Sequence, residues 1–205
     1  SRNAGMSEQS AGTPAASASA SGRPKPSASD GARRAVAPAR SARQPPFDNT
    51  DTDAQAKAKL LEGHDVVVSS TRFVGGIDAP TLIAAAKQAG VKRVVVVGGA
   101  GSLEVAPGLA LIDTPEFPEI YKAEASAGGV FLQALRGETE LDWTFISPPA
   151  LFEPGQRTGH FRLGGDALLI DGAGNSHVSM EDYAIALVDE IEQPRHPRQR
   201  FTVGH

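Results

Sequence analysis

Two runs of β-branched residues constrain this chain more than any other feature. Val66-Val67-Val68, and Val94-Val95-Val96-Val97 at the end of Val91-Lys92-Arg93-Val94-Val95-Val96-Val97, are continuous rather than alternating, the pattern of strands buried on both faces of a parallel sheet. Between them Asp78 can cap a helix with Pro80 in its first turn. Leu82, Ile83, Ala86 and Ala89 give that helix an apolar face, and Gly90 ends it. Strand, helix and strand in that order form a crossover unit. A third pass runs as helix from about Tyr121 to Leu135, stops at Gly137 and returns through Leu141-Asp142-Trp143-Thr144-Phe145-Ile146. The expected fold is therefore α/β, a doubly wound, mainly parallel sheet with helices on both faces.

The flanks are less regular. Asp51–Leu61 reads as a short helix closed by Gly63, with its acids suited to the positive end of the dipole. Beyond Pro148–Pro149, Ala167–Asp171 and Asn175–Ser179 read as two short strands around Gly172-Ala173-Gly174. Ser179 caps Met180–Glu192, with Tyr183, Leu187, Val188 and Ile191 on its apolar face, and Phe201-Thr202-Val203 reads as a last strand.

Residues 1–46 belong to another regime. They hold twelve Ala, nine Ser and six Pro, and Met6 and Val36 are their only large aliphatic or thioether side chains. Such a segment buries too little to offset its ordering entropy, so it is expected to be a disordered or irregular tail before a domain spanning 47–205. Composition excludes several function classes. The tail carries seven Lys/Arg against two acids, while the remainder carries 13 bases against 22 acids, which argues against a nucleic-acid groove. With no cysteine there is no disulfide framework, thiolate metal site or cysteine nucleophile, and the five histidines lack metal-ligand spacing. Apolar stretches such as Val94–Val97 and Leu168–Ile170 fall far short of the ~20 residues of a membrane helix, so a cytoplasmic protein without a membrane partner is expected.

Small and polar residues gather where the strands end. Ser69-Ser70-Thr71-Arg72 closes the first run, and Gly98-Gly99-Ala100-Gly101 closes the second, as a ligand lying across the carboxyl edge of a parallel sheet requires. No convincing helix follows the glycines, so they read as a strand-end loop allowing close backbone approach rather than as a phosphate cradle. Ser102 is the hydroxyl best placed after the central strand, though no neighbouring histidine activates it. Arg195-His196-Pro197-Arg198 reads as a solvated turn.

Three segments together carry a family resemblance: Val94–Val105 (VVVVGGAGSLEV), Leu141–Ala150 (LDWTFISPPA) and Gly174–Val188 (GNSHVSMEDYAIALV). Over about residues 50–205 the chain resembles the atypical short-chain dehydrogenases/reductases, a Rossmann-like group of NAD(P)H-binding and NADH–flavin reductase-like proteins. The resemblance implies NAD or NADP as cofactor, not distinguishable here, with a small molecule as substrate. It places Ser69, Ser70, Thr71 and Arg72 near the adenosine and central phosphates, Gly98, Gly99, Ala100 and Ser102 near the nicotinamide ribose, and Ser147, Pro148, Pro149 and Ala150 beside the nicotinamide. Arg157, Thr158 and His177 would border the substrate. Tyr121 and Ser102 are the candidate catalytic hydroxyls. In this group a lysine one helical turn after the tyrosine lowers its pKa, but position 125 is Ala, and Lys122 is adjacent and diverges by ~100° on a helix.

The implied activity is hydride transfer to a flavin, quinone or small carbonyl. The alternatives are a non-catalytic dinucleotide sensor, or an inactive chain whose N-terminus is misread. The group's opening strand, glycine loop and helix have no counterpart in residues 1–46, so the N-terminal β-α-β unit is expected to be aberrant or missing.

Overall fold

The computed structural model describes residues 54–205. The expectations for residues 1–46, and the first residues of the Asp51–Leu61 helix, lie outside the described residues. The elements run α1 (Ala54–Leu61), β1 (Val66–Ser69), α2 (Ala79–Gln88), β2 (Arg93–Val97), β3 (Glu104–Ala106), β4 (Leu109–Ala110), a 3-10 turn (Leu111–Asp113), α3 (Glu119–Arg136), β5 (Asp142–Ser147), β6 (Leu151–Glu153), β7 (Arg162–Gly164), β8 (His177–Ser179), α4 (Met180–Glu192) and β9 (Gln199–Gly204).

Five strands form the main sheet in the order β1-β2-β5-β9-β7. The first four are parallel, and β7 closes one side antiparallel to β9. The two faces of β2 show why its valine run is continuous. Val94 and Val96 join Leu82, Ala86, Phe131, Leu132, Leu135 and Phe145 in the core beneath α2 and α3, while Val95 joins Ile146, Tyr183, Ala186, Phe201 and Val203 beneath α4. Each of the Val, Leu, Ile and Phe side chains contributes roughly 1.5–3 kcal/mol when fully buried. The mainly parallel sheet and its two helical layers are those expected of a Rossmann-like domain.

The helix signals acted as local chemistry dictates. Asp78 accepts the Thr81 amide at 2.8 Å, and Ser179 accepts the Asp182 amide at 3.1 Å, each starting its helix. Gly90, at φ 73°, turns the chain out of α2.

Four local expectations fail. Val66–Val68 is not buried on both faces, because β1 is an edge strand among the described residues and Val68 is 42% exposed. Of the two short strands expected at 167–171 and 175–179 the first does not form and the second is β8, which runs parallel to β6, while Asp171 organises the intervening turn by accepting the Ala173 and Asn175 amides. Val188 faces outward, its place on the inner side of α4 being taken by Ala186 and the buried acids Asp182 and Glu190. His196 is no solvated turn residue, since its ring stacks on Phe201 at 4.3 Å and meets Glu190 through Nδ1 at 2.8 Å.

Candidate nucleotide cleft

A cleft of about 840 Å³ opens where β1, β2 and β5 end. It gathers Ser70, Thr71 and Arg72 from the first strand end, Gly98, Gly99, Ala100 and Ser102 from the second, and Pro148, Pro149 and Ala150 from the third, with Tyr121 on α3 at its rim. Ser69 and Ser147 are buried behind this surface and do not line it. Arg157 lines neither this cleft nor the second one, whereas Thr158 and His177 line a separate cavity of about 460 Å³ with Gln156, Ser179 and His205. The two cavities share Leu151.

Backbone packing shapes the cleft floor. The Gly98 amide donates to the Ile146 carbonyl at 2.8 Å, and a Cβ at Gly98 would lie 2.3 Å from the Phe145 ring. Only glycine lets the loop leave β2 this close to β5. On the opposite side Gly99 has open space, where a Cβ would meet nothing nearer than Phe73 at 3.8 Å. A bare peptide surface over a floor of small residues is what close approach by a dinucleotide needs, so the described half of the cleft fits a nicotinamide nucleotide.

The wall on the α3 side is fixed by Glu124, which no sequence signal had singled out. Its carboxylate accepts the Phe73 amide at 2.7 Å and the Val74 amide at 3.1 Å, and lies 3.6 Å from the Arg72 guanidinium. Phe73 in turn packs on Phe131 and Phe145 at ring separations of 5.4 and 6.1 Å. The loop after β1 is thus held from a helix about fifty residues further along the chain.

The tyrosine–lysine arrangement is absent, because Ala125 stands one helical turn after Tyr121. A Cβ at Gly101 would come within 2.6 Å of the Ala125 Cβ, so the glycine loop packs directly against α3 at this point. Lys122 points to Glu119 at 2.7 Å and does not line the cleft. Tyr121, 60% exposed, reaches the rim without a cation behind it.

A cation does stand behind Ser102, and it comes from the sheet. Arg200 on β9, with its side chain 3% exposed, pairs with Asp166 and lies 3.4 Å from Ser102 Oγ and 3.5 Å from Ser147 Oγ. Burial lowers the basicity of this guanidinium, and Asp166 works against that effect.

The region bordering the smaller cavity hangs on Asp182, fully buried at the start of α4. It accepts the Thr158 amide at 2.8 Å, the Gly159 amide at 2.8 Å and the Thr158 hydroxyl at 2.5 Å, with His205 Nε2 at 3.4 Å. Burial opposes ionisation of Asp182, but these donors outweigh it and hold the carboxyl below its ordinary value. His177 packs against His205 with the rings tilted and their centroids 5.1 Å apart, and its Nδ1 lies 3.8 Å from Asp171.

Strand order, glycine floor and an edge-on cleft define an α/β dinucleotide-binding domain. Comparison with known proteins carries this further: residues 29–194 match the NAD(P)H-binding family, and the chain belongs to it. The chain is 47% identical over 125 residues to the uncharacterized protein YwnB of Bacillus subtilis (strain 168), a match covering 60% of this chain and 59% of that relative. Among solved structures, a protein of Burkholderia pseudomallei described as exported superposes with TM-score 0.70 at 49% identity, covering 76% of this chain and 79% of that one. A Streptococcus pneumoniae TIGR4 protein described as an NADH-flavin reductase gives TM-score 0.64 at 32% identity, covering 76% and 78%. The cofactor class is therefore a nicotinamide dinucleotide, NAD or NADP. Among the described residues no helix is long and apolar enough to cross a membrane.

Proposed function

We propose that this protein is an NAD(P)H-dependent reductase that passes a hydride to a flavin, quinone or small carbonyl acceptor. The observation that supports this reading most is the cleft itself, where side-chain-free backbone at Gly98 and Gly99 faces Pro148–Ala150 across the ends of adjacent parallel strands. The cofactor, when bound, supplies the hydride.

The chain's own residues do the rest. Gly98, Gly99 and Ala100 bring peptide groups against the nucleotide, Pro148–Ala150 form the facing wall, and Ser70, Thr71 and Arg72 offer polar partners toward its phosphate side. Ser102 donates a hydrogen bond to the acceptor's oxygen or nitrogen. Two electrons leave with the hydride and one proton enters from solvent, so the balance is acceptor plus NAD(P)H plus H⁺ giving reduced acceptor plus NAD(P)⁺. Thr158 and His177 line the smaller cavity, whose wall shares Leu151 with the cleft, and are assigned to the acceptor end on that proximity. Small-molecule acceptors and a cytoplasmic location, where reduced nicotinamide is regenerated, accord with this chemistry.

A second reading is a dinucleotide sensor without turnover, favoured by Ala125 standing where a lysine would activate Tyr121. Titrating the full chain with NADPH and NADH, then following cofactor oxidation with FMN, 1,4-naphthoquinone and a small aldehyde, separates the readings. Saturable binding with oxidation supports the reductase, binding alone supports the sensor, and absence of binding overturns both.

A further inference from the structure

We infer that Arg200 is the positioning residue for Ser102, supplying from strand β9 the buried cation that the helix α3 does not supply. The inference rests on the reductase reading above for its catalytic consequence, but not for its geometry.

Arg200 sits in a strand between two covered faces, and its guanidinium carries only donors. Every one of its neighbours must therefore accept. Nε donates to Asp166 Oδ1 at 2.6 Å, and Nη2 donates to the same oxygen. Nη2 also lies 3.4 Å from the Ser102 carbonyl and 3.4 Å from the Asp166 carbonyl, while Nη1 faces Ser102 Oγ and Ser147 Oγ. One rigid fork thus grips both the backbone and the hydroxyl of Ser102. Because Ser102 Oγ accepts from Arg200, its hydrogen is left to donate elsewhere, and Ser102 lines the cleft. A neutral donor backed by a fixed positive charge is suited to an acceptor atom that gains negative charge as the hydride arrives.

The surroundings hold the fork in place. Asp166 also takes Arg136 of α3 at 3.0 Å, and its carbonyl accepts the Glu104 amide at 2.8 Å, tying the loop to β3 just beyond Ser102. Position 125 of α3 is Ala and offers the loop that carries Ser102 no charge, and the Gly101–Ala125 contact packs that loop directly against α3. Arg200 reaches the same loop from β9.

The test compares the full chain with Arg200→Met, Arg200→Lys, Ser102→Ala and the Arg200→Met/Ser102→Ala double variant. Amide hydrogen exchange over residues 99–103, without nucleotide, is expected to quicken by about tenfold or more in Arg200→Met, with β2 unchanged. In NADPH-driven reduction of 1,4-naphthoquinone, kcat is expected to fall about tenfold to a hundredfold in both single variants, with the KM for NADPH within about threefold of the parent. The double variant is expected to fall no further than Ser102→Ala alone, because both changes remove the same aimed hydroxyl.

Arg200→Lys keeps the buried charge but not the fork, and reports in place of Arg200→Met should that variant not fold. Unchanged exchange at 99–103 overturns the positioning role, as does multiplicative loss in the double variant. A parent chain that does not oxidise NADPH overturns the reductase reading instead, and the exchange experiment still decides where Arg200 acts.

Discussion

The sheet buries an arginine at each end, and the two are used differently. At the amino end, beneath α4, Arg93 meets Glu190 at 2.8 Å, and Glu190 is 3% exposed. That carboxylate also accepts the His196 amide at 3.0 Å, His196 Nδ1 at 2.8 Å and the Arg195 amide at 3.2 Å, so its acceptor capacity is taken up within the fold. At the carboxyl end, on the α3 side, Arg200 meets Asp166, which is 56% exposed, and spends its remaining donors on serines beside a cleft. The first network turns wholly inward, although Arg93 Nε is left without a hydrogen-bond partner; one that ends on a hydroxyl facing open space has chemistry left to give.

The largest effect that could break this contrast comes from the closed end. Glu190→Ala leaves Arg93 buried without its carboxylate and is expected to cost about 3–5 kcal/mol in urea unfolding, with nucleotide affinity of the folded protein unchanged. A loss of affinity equal to that of a cleft variant would erase the distinction between the ends.

Next comes Gly98→Ala, whose added Cβ meets the Phe145 ring at 2.3 Å and the Ile146 carbonyl at 2.8 Å. Overpacking there is expected to cost about 1–3 kcal/mol, read by the same unfolding curve, and to weaken NADPH binding because the cleft floor must shift.

The closed end also sharpens the contrast through pH. Burial opposes ionisation of Glu190, but hydrogen bonds from His196 and the Arg195 and His196 amides outweigh it and hold its carboxyl below the ordinary 4.5. A depressed carboxyl contributes stability above its unfolded value and loses it as pH falls through the folded one. Stability is therefore expected to drop below about pH 4.5, and Glu190→Gln to flatten that part of the curve. Asp182 acts in the same direction and leaves some slope behind.

The smallest effect belongs to Lys122→Ala. Its pair with Glu119 is a surface contact on one helix, so the expected change is under about 0.5 kcal/mol, with no change in NADPH binding. A large loss of turnover would restore a tyrosine–lysine mechanism.

Much of the fold was legible because its signals are local. The valine run of β2 marks burial on both faces, and Asp78 and Ser179 mark helix starts within three residues of the amides they accept. What could not be read depends on partners distant in sequence. Val66–Val68 has the composition of a central strand, yet burial is decided by what lies alongside it. The parallel pairing of β6 with β8 has no turn between its members to announce it. In the cleft, the strand-end positions followed from topology, whereas Ser69 and Ser147 lie one layer too deep because side chains alternate across each strand. Arg93 stands inside the expected strand Val91–Val97, and Arg200 lies one residue before the expected strand Phe201–Val203 although β9 includes it; in both places a charge inside a strand covered on both faces requires a partner that local sequence does not name.

The anchorage of the loop at Asp182 sets how that region can move. Two amides and a hydroxyl from Thr158 and Gly159 converge on one carboxylate with no access to water. No single bond can be given up cheaply, because water cannot replace it until the others have gone. The segment therefore departs as one cohort or stays, and a bulky guest at the smaller cavity meets a door that opens in a single cooperative step rather than a wall that yields by degrees.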